Sequence, residues 1–268
     1  MEQAAKQVSD RRTRRQGEFY LQGLLVWWLL LLAAFFIVPW PLAAKVWMAV
    51  HGLCAQHPGH MLVFGAQELP LCARDSGIYL GALLGTAYLL VRGRWRAAGR
   101  PPRTLWLALA AALLFFGVDV VNSVALEWFG RALYPPHNAL RLASGLLLGL
   151  FVGVLLLWVV HLALAGRQTG RRIVAHWGDL VGLAGVGAVG GLAFWSGWPP
   201  LYLPLTVLSV GGAVLLLWAG NALLFFTRVR GRQLVAAFWE ITPFLFWGAI
   251  AAVVEMAALA WLRYSLGG

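Results

Sequence analysis

The sequence predicts an all-α integral membrane protein of about seven transmembrane helices, on three observations. Of its 268 residues, 61% are hydrophobic and 12% charged, whereas soluble domains run at about 45–50% and 25%. The apolar excess lies in long runs of spanning length. The basic residues between those runs alternate between a rich side and a poor one.

In chain order the predicted spans are Tyr20–Val38, Gly77–Val91, Thr104–Val121, Leu142–Ala165, Leu180–Trp195, Leu201–Phe226 and Leu234–Leu262. The tail before the first span carries Lys6, Arg11, Arg12, Arg14 and Arg15. The second loop carries Arg92, Arg94, Arg96, Arg100 and Arg103, the fourth Arg167, Arg171 and Arg172, and the sixth Arg228, Arg230 and Arg232. Sixteen of the twenty-one Lys and Arg residues thus fall on one side, leaving Lys45, Arg74, Arg131, Arg141 and Arg263 for the other. The positive-inside rule makes the rich side cytoplasmic, so the N-terminus is inside and the C-terminus outside. Trp40, Trp47, Trp128, Trp195, Trp198 and Trp261 fall at outer ends and Trp95, Trp106 and Trp177 at inner ones, as an aromatic belt should. The first span, with its long basic tail and full length, reads as retained rather than as a cleaved leader. A net charge of +11 spread over short clusters orients helices and implies no nucleic-acid partner.

These boundaries divide the chain into a basic cytoplasmic tail (1–19), a four-helix core (20–165) and a three-helix C-terminal supplement (166–268). The core carries a long outer loop (45–76), which holds both cysteines of the chain, Cys54 and Cys72, with His51, His57 and His60. Three chemistries suit this loop. A Cys54–Cys72 disulfide fits an oxidising outer face. Cys54, His57, His60 and Cys72 offer two thiolates and two imidazoles, a set that suits tetrahedral zinc. Arg74 could also lower the pKa of Cys72 and make it a reactive thiol. For the first two the cysteines must come within about 7 Å, Cα to Cα.

The loop runs into Cys72-Ala73-Arg74, Gly77-Ile78-Tyr79 and Gly81, followed later by Asp119, Asn122, Tyr134-Pro-Pro-His-Asn138, Leu140-Arg141 and Gly145. This pattern resembles the uncharacterised membrane proteins of bacteria and archaea known as domain of unknown function 2085, over roughly residues 51–153. The resemblance implies a four-helix membrane core and a bacterial or archaeal cytoplasmic (plasma) membrane location. It implies no reaction.

Function therefore has to be read from the residues. Gly77, Gly81 and Gly85 form a stripe at four-residue spacing, as do Gly145, Gly149 and Gly153. Small residues at this spacing let helices approach closely in lipid. Pairing the stripes sets Arg74 and Arg141 side by side at two outward-pointing helix starts, an anion site. The plainer alternative is that Arg74 pairs with Asp75 or Asp119 and Arg141 with Glu127. Asp119 lies about 24 Å along its helix from Arg103, near the outer boundary, with Asn122 on the same face. An acid at that depth needs a cationic partner.

The leading expectation is a membrane-embedded enzyme, metal- or thiol-dependent, acting on an anionic lipid or isoprenoid phosphate. Asp119, Cys72 and Arg74 would be catalytic, and Arg74, Arg141, Tyr79, Asn122 and Asn138 would hold the substrate. Zinc is the expected cofactor. Haem is not expected, because His161 is the one clear intramembrane histidine. The absence of phosphate-loop and dinucleotide fingerprints excludes a nucleotide. The alternatives are a scaffold subunit of a membrane complex, or a transporter or flippase relaying through Glu240 and Glu255. Expected partners are membrane lipids, with other membrane proteins or further copies of the chain.

Overall fold

The computed structural model describes residues 2–95, 97–163, 169–230, 235 and 237–266. Arg96, Arg167 and Arg232, used above for topology, and the span ends Ala165 and Leu234 lie outside them. Among the described residues the protein is a bundle of eight α-helices with two small two-stranded sheets. Six helical stretches are long and apolar enough to cross a membrane: Arg11–Ile37, Arg103–Phe129, Asn138–Ala163, Trp177–Trp195, Pro199–Arg230 and Thr242–Ser265. They lie in helices α1 (Glu2–Ile37), α4 (Arg103–Phe129), α5 (Asn138–Ala163), α6 (Trp177–Trp195), α7 (Tyr202–Arg230) and α8 (Thr242–Ser265).

The remaining predicted span is α3 (Ala73–Val91), whose first turn carries Arg74 and Asp75. These charges dilute its apolar character, and packing accounts for their tolerance. Helix α3 is the centre of the bundle, set against α5, α6 and α7. The contacts with α6 and α7 mean that the C-terminal helices complete the packing around α3, across the expected division at residue 165.

The contact between α3 and α5 is the tightest in the bundle. A methyl group added at Gly81 would stand 2.5 Å from the carbonyl oxygen of Leu146, and one at Gly77 would stand 2.6 Å from that of Leu142. Added at Gly145, Gly149 or Gly153 it would overlap the carbonyl oxygens of Arg74, Ile78 and Ala82 respectively. The partner numbers rise together along both helices, so α3 and α5 run parallel, with both N-termini at one end. Backbones this close favour dispersion and Cα–H···O contacts, which stand in for a hydrophobic drive that lipid does not supply.

That end of the bundle is built from the segment expected as loop 45–76. It contains α2 (Leu42–Ala49) and an antiparallel hairpin of β1 (Met61–Phe64) and β2 (Gln67–Cys72). The hairpin turns at Gly65, whose φ of 64° is open to glycine at little cost. Its inner face buries Leu62, Phe64, Leu69 and Leu71. At the opposite end β3 (Ala97–Gly99) pairs in parallel with β4 (Thr169–Arg172). There Asp179, fully buried, takes Arg94 at 3.0 Å and Arg92 at 3.6 Å.

Two boundaries differ from expectation. The basic tail is part of α1, which begins at Glu2. Helix α8 starts at Thr242, after a 3-10 turn at Phe238–Glu240. Pro243 sits in the first turn of α8, where its missing N–H has no helical partner to lose, and marks a helix start rather than a kink. Glu240 thus precedes the span and pairs with Arg230 at 2.8 Å.

Gly149→Ala is expected to destabilise the protein by about 1–3 kcal/mol, as overpacking does, read as a lower thermal-unfolding midpoint in detergent. Gly117→Ala, where a methyl meets open space, should hold or raise the midpoint through helix propensity. Equal midpoints for the two variants would remove the glycine contact as the organising interaction.

Candidate functional site

At the hairpin end, the first turn of α3 sends its polar side chains in two directions. Arg74 turns toward α4. Its Nε and Nη2 donate to one oxygen of Asp119 at 3.0 and 2.6 Å, and Nη2 also donates to the Asp119 carbonyl and to Ser123 Oγ. Asp119 is fully buried. Ser144 donates to the same carboxylate oxygen, and the Tyr134 hydroxyl donates to the other, both at 3.2 Å. Removing one partner of a buried pair of this kind costs about 3–5 kcal/mol. Asp119 thus anchors Arg74. Burial and the Asp119 charge raise the pKa of Tyr134, which keeps its hydroxyl a donor.

Arg141 lies in the first turn of α5 and is 6% exposed. Its Nη1 donates to Asn138 Oδ1 at 3.0 Å, and its Nη2 faces His60 Nε2 at 2.9 Å. Its Nε is buried without a partner. Glu127, the carboxylate weighed as its partner, reaches His60 instead, at 3.6 Å. Among the described residues, no carboxylate makes an ion pair with Arg141. Asn138 also donates to the carbonyls of Gly59 and Met61, tying α5 to the hairpin. Asn122 accepts from the N–H groups of Leu133 and Tyr134 and donates to the Tyr134 carbonyl. Both amides are engaged and position loops, Asn122 through backbone groups and Asn138 through backbone carbonyls and Arg141. Tyr79 is not beside the arginines: it packs with Val50, Cys54, Leu71 and Val210 on the α7 side of α3.

On that side lie the cysteines, both as free thiols. Cys54 Sγ, Cys72 Sγ and a carboxylate oxygen of Asp75 all lie within 4.8 Å of one another. The expected histidines do not converge on them. His57 turns its Nδ1 to the Pro58 carbonyl and stacks on His60, with ring centroids 4.6 Å apart, while His60 faces Arg141. Nor does Arg74 activate Cys72, since its guanidinium is taken by Asp119. The Cys72 thiol is pushed above its ordinary pKa by its contact with Cys54, by burial and by the Asp75 charge, and it donates to Asp75 at 3.2 Å. Cys72 in this state is no activated nucleophile.

The chain from His51 to Gln56 is shaped by two residues that the sequence did not single out. Gln56, at φ 49°, donates to the carbonyls of Trp47 and Pro70, and its amide oxygen faces His51 Nδ1 at 2.9 Å. Arg263, near the end of α8, donates to the carbonyls of His51, Cys54 and Ala55. Ser123, Tyr134 and Ser144 were also missed, although Ser123 lies one helical turn after Asp119 and Ser144 one turn after Arg141. Glu255 accepts from Asn221 at 2.7 Å, so it and Glu240 are engaged separately rather than with each other. A groove of about 490 Å³ between α5 and α6 is lined by Ala, Leu, Gly and Trp side chains, with no ionisable group among them.

Residues 54–155 match the family model described as predicted membrane protein, domain of unknown function 2085. Over this segment the chain is similar to that family. The matched segment opens on Cys54 and takes in the hairpin, α3, α4 and most of α5, including Arg74, Asp119 and Arg141. Residue Arg263, which holds the Cys54 loop, lies beyond it. No curated protein and no solved structure matches the chain.

The His60 imidazole is held below its ordinary pKa of 6.5 by burial first, then by Arg141 and His57, with Glu127 opposing. The folded state therefore binds this proton less readily than the unfolded state. Its contribution to stability is present above about pH 6.5 and is lost as pH falls below that value. Protonation would also turn the acceptor facing Arg141 into a donor. The thermal midpoint is expected to fall from about pH 7 to about pH 5, and His60→Gln should flatten that slope. An unchanged slope in the variant would assign it to another group.

Proposed function

We propose that this protein binds the anionic headgroup of a membrane amphiphile, a phospholipid or an isoprenoid phosphate, at the outer ends of α3 and α5. The observation that carries the reading is Arg141. It is nearly buried, one of its donors has no partner, and none of the described carboxylates is paired with it. Arg74 and Asp119 cancel each other beside it, so the buried cluster keeps one unmatched positive charge. A buried cation without a counter-charge is costly, and an incoming anion lowers that cost. The parallel N-termini of α3 and α5 add their partial positive charge at the same end. His60 and the half-exposed Glu127 lead from Arg141 toward the surface.

Recognition is the part of the expected enzyme that the geometry supports. The proposed catalytic groups Asp119 and Cys72 are both engaged, so the site is read first as a binding site. The proposed setting is the cytoplasmic membrane of a bacterium or archaeon, with the hairpin end outward.

The test is binding of an anionic lipid, phosphatidylglycerol, to the purified protein in detergent, followed by native mass spectrometry. Losing one charge-assisted hydrogen bond should weaken binding about tenfold or more in Arg141→Gln. Arg141→Lys should keep part of the affinity, and Arg131→Gln, at an exposed residue, should be neutral. Phosphatidylcholine should bind weakly to all forms. Equal affinity of Arg141→Gln and the unaltered protein would overturn the reading. Competition by inorganic phosphate alone would shift it from amphiphile to free anion.

A further inference from the structure

We infer that Cys54, Cys72 and Asp75 form a binding site for a thiophilic divalent cation, best suited to zinc. This site lies on the α7 side of the first turn of α3 and is independent of the anion reading, which rests on the α4 and α5 side.

Three observations carry it. The first is convergence: the two sulfurs and the carboxylate oxygen lie within 4.8 Å of one another. Ligands at tetrahedral corners about 2.0–2.3 Å from an ion stand less than about 4 Å apart, so small side-chain rotations close the set. The second is the environment of Cys54. Its buried sulfur accepts the N–H of Cys72 at 3.1 Å and that of Gln56 at 3.4 Å. Two backbone donors aimed at one sulfur suit a metal-bound thiolate. A disulfide sulfur, carrying no charge, gives them little to address. The left-handed φ of Gln56 holds its N–H in that direction.

The third is Asp75. At the third position of α3 it could reach back to the N–H of the capping residue, Cys72. That N–H is instead given to Cys54, and among the described residues the side-chain hydrogen bond at the carboxylate comes from the Cys72 thiol. Asp75 has no ion-pair partner among the described residues. A half-buried carboxylate facing two thiols lacks its cation.

Binding balances without redox change. The thiols of Cys54 and Cys72 each lose a proton to water, and Zn²⁺ takes their place among two thiolates and one carboxylate, for a net charge of −1. Thiolate donors select zinc over magnesium and calcium, which prefer oxygen shells. Three protein ligands leave the fourth tetrahedral position for water or a substrate atom.

The experiment uses the full chain, purified in detergent without chelator, with zinc measured by elemental mass spectrometry and thiols counted by maleimide labelling. About one zinc per chain is expected, with both thiols labelled only after a chelator is added. Cys72→Ser should abolish retention. Asp75→Asn is nearly isosteric and cannot affect a disulfide; it should weaken zinc binding about tenfold or more. Cobalt in place of zinc should give a thiolate-to-metal charge-transfer band that Cys72→Ser removes. An intact mass two hydrogens light, with no zinc or cobalt taken up after reduction, would assign the cysteines to a disulfide and overturn the proposal. Unchanged zinc affinity in Asp75→Asn would overturn it as a three-ligand site.

Discussion

Backbone lies against backbone where α3 meets α5, and most of the architecture depends on that contact. With glycine at six facing positions, the carbonyl oxygens of one helix occupy space that side chains would otherwise fill. Only a parallel alignment in this register fits. The alignment brings two helix starts to the same level, and with them Arg74 and Arg141. Neither arginine would be tolerable at that depth on an isolated helix. Asp119 answers the first from α4, and the hairpin covers the second through His60 and Asn138. Helices α6 and α7 then close over α3, again at small residues: Gly212 of α7 leaves room for the Tyr79 carbonyl, with a methyl there only 2.7 Å away.

The polar groups at the hairpin end divide by how fully they are satisfied. Asp119 is saturated by Arg74, Ser144 and Tyr134. Asn122 is filled by backbone groups, and Asn138 and Gln56 by backbone carbonyls together with Arg141 and His51 respectively. Such residues define a shape, and a mutation at any of them would act through that shape. Arg141 and Asp75 are the exceptions, one a cation without a counter-charge and the other a carboxylate whose hydrogen-bonding neighbour is a thiol. Buried or half-buried charges of this kind are unfavourable in a closed protein, and they point to what the site is built to meet. Asp75 stands on the α7 side of the first turn of α3, and Arg141 stands in the first turn of α5, the helix packed against α3.

Much of the helical frame was legible in the residues. Runs of apolar side chains and glycines at four-residue spacing are local signals, and both survive folding unchanged. Arg74 and Asp119 could be brought together as well, because an acid at membrane depth demands a cation and few are within reach. The hairpin was not legible: its strands are short, and the cysteines and histidines around it drew attention as ligands. Asp75 was passed over because it sits beside Arg74, and adjacency in sequence suggests a pair. On a helix, neighbours point about 100° apart, and here they face different helices. The histidines misled for the opposite reason. His57 and His60 share spacing with the cysteines, but the turn at Pro58 and Gly59 carries them to the α5 side. The predicted span Leu234–Leu262 runs through Pro243, because proline at a helix start and proline within a helix look alike until the preceding turn is known.

The grip of Arg263 on the His51–Ala55 carbonyls joins segments far apart in the chain, 212 residues at His51. In a protein made and inserted from its N-terminus onward, the cysteine loop is synthesised long before α8 exists. Until that last helix arrives, the carbonyls of the loop lack their guanidinium, and the hollow against Gly52 that α8 fills stands open. The thiols are thus held in this arrangement late, once α8 has entered the membrane. Assembly order therefore acts as a checkpoint: a chain whose α8 has failed to seat keeps a loosely held pair of cysteines, chemically distinguishable from the finished protein.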